Sequence, residues 1–145
     1  TWRQLRGAFR SGAVAKQYLA LVCGAAGNGG SEQPLAQRGN HVAVDPLGLP
    51  ASTRWQVVER FAAHTLLRCT AETGRMHQVR AHLAAAGTPV AGDTLYGGAP
   101  LPGLIAHFLH AARVDLHHPR TGQPLIIEAP LPPDRTAAIA AARSL

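Results

Sequence analysis

Apolar residues recur along the chain with two different periods, and the switches between them mark its elements. Trp2, Leu5 and Phe9 stand at helical spacing, which predicts an opening helix with Gly12 as its C-cap. Over residues 16–23 the period shortens to two. Tyr18, Ala20 and Val22 then share one face of a strand, and Leu19 and Leu21 share the other. Residues 24–31 read as a loop, followed by a poorly patterned stretch to Gly39, a short strand over 41–45 and a turn-rich link over 46–52. Residues 53–61 and 65–72 alternate as a strand pair around the turn Ala62-Ala63-His64.

Thr73 is placed to N-cap a helix over residues 75–86 that Gly87 stops. At about 100° per residue, Met76, Val79 and Leu83 fall on one apolar stripe, with Arg80 at its edge and His77 one turn earlier on the same flank. Residues 88–98 form a loop punctuated by proline and glycine, containing Gly92-Asp93 and Tyr96-Gly97. Residues 109–116 and 124–129 read as strands around the turn His118-Pro119-Arg120-Thr121-Gly122, and an alanine-rich helix starts near Pro133-Asp134. Strands with interposed helices, and no internal repeat, predict an α+β fold in one domain.

Composition narrows this picture. A chain of 145 residues that is 46% hydrophobic and 15% charged has the makings of a packed core, which argues against disorder. Its 14 basic residues, of which Lys16 is the sole lysine, stand against 8 acidic ones; the net charge of +6 suits a polyanionic partner. Cys23 and Cys69 lie far apart in apolar runs and read as buried free thiols of a reducing compartment, the cytoplasm. No apolar run reaches the roughly 18 residues of a membrane span. The amino end is no signal peptide and begins inside what reads as a helix, so the domain is expected to be incomplete at its N-terminus.

Two residues invite chemistry. The Arg80 guanidinium, beside a buried stripe, keeps its charge and so wants a carboxylate or phosphate; a structural carboxylate or an escape to solvent would also satisfy it. Tyr18 at a strand start is either core-edge packing or a ring that stacks on a base. A metal reading fails on spacing. His77 and His82 are five apart, no His-Glu-x-x-His or Cys-x-x-Cys occurs, and the glycines over 24–30 lack the ending of a phosphate-binding loop.

Six segments in register carry a more specific signal. They are Lys16-Gln17-Tyr18-Leu19-Ala20-Leu21-Val22; Thr73-Gly74-Arg75-Met76-His77-Gln78-Val79-Arg80-Ala81-His82; Gly87-Thr88-Pro89-Val90-Ala91-Gly92-Asp93; Tyr96-Gly97; Leu109-His110-Ala111; and His118-Pro119-Arg120-Thr121-Gly122. In order and spacing they resemble the RluA-type family of ribosomal and transfer RNA pseudouridine synthases. The resemblance implies a mixed, largely antiparallel sheet flanked by helices, with the site in a basic cleft. It also implies an isomerase that cleaves the uridine N-glycosidic bond, turns the uracil and rejoins it through C5, without metal or organic cofactor. RNA is the implied partner, the full-length enzyme is expected to be a monomer, and a flipped target base fits an aromatic-lined basic pocket.

Residue by residue, the resemblance makes Tyr18 the tyrosine that packs on the target base and Arg80 the arginine that pairs with the catalytic aspartate. It puts Lys16, Arg75 and His77 on the RNA. That aspartate lies, in the family, in a His-Arg-Leu-Asp-type segment upstream of the lysine-tyrosine strand, and nothing here matches it. Asp93 matches the family's Gly-Asp position, which accompanies the catalytic residue rather than replacing it, and Asp45, Asp115 and Asp134 are poor candidates. The expectation is therefore a chain without turnover, in which Arg80 faces no carboxylate and an open sheet edge leaves the fold marginally stable or self-associating. A degenerate, non-catalytic RNA-binding paralogue is the alternative.

Overall fold

The computed structural model describes the backbone of residues 2–11 and 14–145, and the side chains of residues 2–8 and 14–145. Helix α1 (Trp2–Ser11) forms where the helical spacing predicts it; the Phe9 side chain and the Gly12 cap lie outside the described residues. The chain then builds β1 (Ala15–Cys23), β2 (Gly29–Ser31), β3 (Leu35–Arg38), β4 (His41–Val44), β5 (Thr53–Arg60) and β6 (His64–Ala71). After these come α2 (Gln78–Ala85), β7 (Leu109–His117), β8 (Pro124–Glu128) and α3 (Pro133–Arg143). The result is α+β, as expected.

Six strands form one sheet in the order β2-β5-β6-β1-β7-β8, every pairing antiparallel, while β3 and β4 form a separate hairpin. Both β2 and β3 lie in sequence that reads as loop or as poorly patterned. Strand β2 is Gly-Gly-Ser, which shows no side-chain alternation and pairs with β5 through its backbone alone. Strand β3 buries Leu35 but exposes Gln37 and Arg38, too short a run for the period to declare itself.

The main core lies around the middle of β1 and β6. Leu21, Leu67, Leu83 and Phe108 are fully buried there, each burial contributing about 1.5–3 kcal/mol, and Ala138, Ile139 and Ala142 of α3 close it. A smaller cluster of Leu35, Val42, Ala51 and Ala81 sits under the β3–β4 hairpin, with Tyr96 packed against it. Helix α2 joins the two, since Val79 and Leu83 enter the main core and Ala81 enters the small one. Cys69 is buried, and the apolar surroundings push its thiol up to about 12. Cys23, expected to be buried too, is only half-buried at the strand end.

Helix α2 differs from its predicted form at one end. It stops as expected: Thr88 N–H reaches Leu83 O, Gly87 N–H reaches Ala84 O, and Gly87 takes the left-handed conformation, which is a Schellman close. It starts late, at Gln78 rather than near Arg75, and Thr73 does not cap it. The Thr73 hydroxyl is already committed, donating to Gln78 Oε1 at 2.6 Å and accepting from Ser52 N–H at 3.0 Å. Residues 73–77 therefore form an arch instead of a first turn. Met76, expected on the buried stripe, lies on that arch and is exposed.

Candidate active site

The arch and the first turn of α2 stand over the start of β1, and between them opens a cleft of about 280 Å³. Period two brings Lys16 and Tyr18 of β1 to the same face, and Ala71 of β6 and Leu109 of β7 line the floor beside them. The β1–β7 register slips between Gln17 and Tyr18, a bulge of the kind that re-aims a side chain beside a site. Arg75, His77 and Arg80 line the other wall. All five residues singled out in the sequence, Lys16, Tyr18, Arg75, His77 and Arg80, thus meet in one cleft.

One buried amide holds the arch. Gln78 Oε1 accepts from the Thr73 hydroxyl and from Arg75 N–H at 3.1 Å, and its Nε2 donates to Ser52 O at 2.8 Å and Thr53 Oγ1 at 2.9 Å. All four hydrogen-bonding positions of the side chain are filled, as a buried amide requires. The chain of bonds continues inward. The Thr53 hydroxyl meets His82 Nδ1 at 2.7 Å, and His82 Nε2–H donates to Gln33 O at 2.9 Å. His82 is fully buried, and burial holds its imidazole below the usual histidine range. It is a structural histidine that ties α2 to β5 and to the segment before β3.

Arg80 does have a carboxylate, which corrects the expectation drawn from the sequence. Its Nε donates to Asp93 Oδ2 at 2.6 Å and its Nη2 to Asp93 Oδ1 at 2.9 Å, a side-on bidentate pair whose side chains are 13% and 1% exposed. Asp93 gets there because residues 89–91 run beside the end of β1. Cys23 N–H bonds Pro89 O, Ala91 N–H bonds Leu21 O, and the chain turns sharply after them. Gly92 makes that turn at φ +77, and Gly98 closes it where a Cβ would lie 1.8 Å from Val90 O. Only glycine fits at Gly98. The spacing of α2 could not announce this partner, because the partner comes from a loop 13 residues away.

His77 is the other unexpected element. It occupies the N-cap position of α2 in the left-handed conformation (φ 51°), alone among the non-glycine described residues, and makes no side-chain capping bond. Its Nδ1 lies 2.8 Å from the Tyr96 hydroxyl, which also accepts from Val42 N–H at 2.8 Å. The Tyr96 ring lies under Arg80, with Cζ 5.0 Å from its centroid. The motif Tyr96-Gly97 gives no hint of a role for Tyr96, and nothing in the spacing marks Gln78 as the amide that holds the arch; Asp93 stands where the resemblance implies a residue that accompanies the catalytic one.

The cleft sets the cationic side chains Lys16, Arg75 and Arg80 around the ring of Tyr18. Burial raises the Tyr18 phenol, which keeps it neutral, and burial lowers the Lys16 ammonium below its ordinary value. Lys16 Nζ reaches Thr73 O at 3.4 Å, and Arg75 Nε is held by Pro50 O at 2.7 Å. Burial, then the Arg80 charge, depress His77, with Asp93 pulling the other way. No acidic residue occupies the first turn of α2. Among the described residues no group of three or more His, Cys, Asp and Glu is placed to hold a metal ion, and no helix is long and apolar enough to cross a membrane.

Residues 1–85 match the family described as RNA pseudouridylate synthase. The chain belongs to that family. It is 42% identical over 144 residues to the ribosomal large subunit pseudouridine synthase D of Nitrosomonas europaea, covering 91% of this chain and 42% of that protein. It is 35% identical over 148 residues to the protein of the same name from Escherichia coli (strain K12), covering 90% and 45%. This family member therefore spans less than half the length of these relatives. Its fold superposes on that of human RNA pseudouridylate synthase domain containing 4 with a TM-score of 0.80 at 20% identity, over 97% of this chain and 67% of that one.

Proposed function

We propose that the chain is part of the catalytic domain of a pseudouridine synthase that isomerises uridines in structured RNA, with large-subunit ribosomal RNA as the first substrate class and transfer RNA as the second. The relatives named for ribosomal large subunit pseudouridine synthase support the substrate class. The observation that carries the reading is the side-on Arg80–Asp93 pair in the wall of a cleft that also contains Tyr18. Asp93 engages Nε and Nη2, and Nη1 has no partner among the described residues.

In this reading the target uridine enters the cleft and Tyr18, neutral and half-buried, packs on its base. Arg80, oriented from behind by Asp93, turns its free edge to the catalytic carboxylate, beside which the N-glycosidic bond breaks and the detached uracil rejoins the ribose through C5. Lys16, Arg75 and His77 take the flanking RNA backbone. Asp93 is not that carboxylate, because both its oxygens are held and its side chain is buried. Asp45, Asp115 and Asp134 each pair with an arginine away from the cleft, namely Arg38, Arg113 and Arg135. The catalytic carboxylate then belongs to sequence outside these 145 residues.

The alternative is an RNA-binding relative without catalysis, and the same absence of a free aspartate in the cleft favours it. One comparison separates them. The gene product containing this chain and the chain by itself are each incubated with transcribed ribosomal and transfer RNA, and pseudouridine is read by mass spectrometry. Turnover by the longer product only is the expected result. Turnover by neither selects the non-catalytic reading, and turnover by the 145 residues alone overturns the assignment of the catalytic carboxylate.

A further inference from the structure

Tyr96 closes a single 3-10 turn (Thr94–Tyr96) directly after Asp93, and its hydroxyl has two partners, Val42 N–H and His77 Nδ1, each at 2.8 Å. An amide N–H only donates, so it fills a lone pair of the phenol oxygen and leaves the phenolic proton without a home there. The contact with His77 Nδ1 can run in either direction, and donation by the phenol is the arrangement that gives its proton a partner among the described residues. A nitrogen that accepts carries no proton, and the proton of the neutral ring then sits on Nε2. Nε2 has no partner among the described residues, and His77 lines the cleft.

The backbone argues in the same direction. A left-handed non-glycine residue is strained, and such strain persists where the surroundings over-determine it. Here it does not cap the helix, since His77 makes no capping bond. What it achieves is to set the imidazole edge-on against Tyr96, with ring centroids 5.7 Å apart at 89°.

We propose that Tyr96 is a positioning residue that locks His77 in its Nε2–H tautomer, so that the cleft offers a bound RNA one directional, neutral N–H donor beside the cations Arg75 and Arg80. This rests on the reading of the cleft as an RNA site, and it adds a chemistry that the cations lack. A guanidinium or ammonium attracts any nearby phosphate oxygen, whereas a fixed neutral donor selects an acceptor oxygen at one place on the nucleotide.

The test has two arms. In ¹⁵N-labelled protein, long-range ¹H–¹⁵N correlation is expected to show His77 with an imine-type Nδ1 and a protonated Nε2. Tyr96→Phe should give a mixture of tautomers while the His82 signals, which report the fold, stay put. In fluorescence anisotropy with a uridine-containing RNA hairpin, Tyr96→Phe should weaken binding roughly 3- to 10-fold, the scale of one hydrogen bond. In a His77→Gly background, which keeps the left-handed backbone, the same change should add less than about twofold. A proton on His77 Nδ1 in the unaltered protein overturns the proposal, and so does a Tyr96→Phe loss that is undiminished in the glycine background. Absence of RNA binding by the unaltered protein would overturn the role toward RNA and the reading of the cleft together, while the nitrogen assignments still decide the tautomer.

Discussion

Arg80 Nε lies 2.6 Å from Asp93 Oδ2 and Arg80 Nη2 lies 2.9 Å from Asp93 Oδ1, so the guanidinium is gripped along one edge and open along the other. Both side chains are withdrawn from water, and neither tolerates loss of its partner. Asp93→Asn is expected to destabilise the chain by roughly 3 kcal/mol, the scale of a broken buried pair, as measured by urea denaturation. The paired replacement Arg80→Met with Asp93→Leu should recover most of that stability, because it leaves no buried charge alone. A single-substitution cost below about 1 kcal/mol, the range of exposed ion pairs, would mean that water reaches the pair freely.

Tyr18 offers a face rather than a hydroxyl. Tyr18→Ala should weaken binding of a uridine-containing RNA by about 1–3 kcal/mol, the scale of one base stacked on an aromatic ring, and Tyr18→Phe should leave it nearly unchanged. Equal losses for both substitutions in an anisotropy titration would move the interaction from the ring to its oxygen.

Acid should loosen the fold through its buried histidines. His82 and His64 are held below the ordinary imidazole value of 6.5 by burial, so the unfolded chain takes up these protons at higher pH than the folded one. Their contribution is present above pH 6.5 and is lost as the pH falls through that value toward the depressed folded ones. The urea midpoint is expected to drop between about pH 7.5 and about pH 5, and His82→Gln should flatten that slope whatever it does to the absolute stability. An unchanged slope in the glutamine variant would clear His82 of the effect.

Strand β8 is an edge, and its Leu125, Ile126 and Ile127 are exposed. An apolar strand with unpaired backbone groups along one side is a template for another strand. Sedimentation of the 145-residue chain should show association that rises with concentration, and Ile126→Lys should suppress it. A monomer with cooperative melting at high micromolar concentration would show that this edge is tolerated as it stands.

Much of the fold can be read locally. Strands β1, β5, β6, β7 and β8 and helix α3 follow from alternation and turn chemistry over a few residues, and the C-terminal stop of α2 follows from Gly87. Strand β2 escapes such reading because Gly-Gly-Ser has no side chains to alternate. The start of α2 escapes it for a different reason: Thr73 has the hydroxyl of an N-cap, and Ser52 and Gln78 claim that hydroxyl first.

Sequence by itself put Lys16 and Tyr18 on one strand face and Arg75, His77 and Arg80 within six residues of each other, and it was the family resemblance, not that spacing, that implied one shared site for the two groups. Only the tertiary structure decided how Arg80 is held. Its partner is delivered by a separate loop whose path depends on pairing with the end of β1 and on turns at Gly92 and Gly98. Periodicity reports which way a side chain faces, and it carries no information about what another segment brings to meet it.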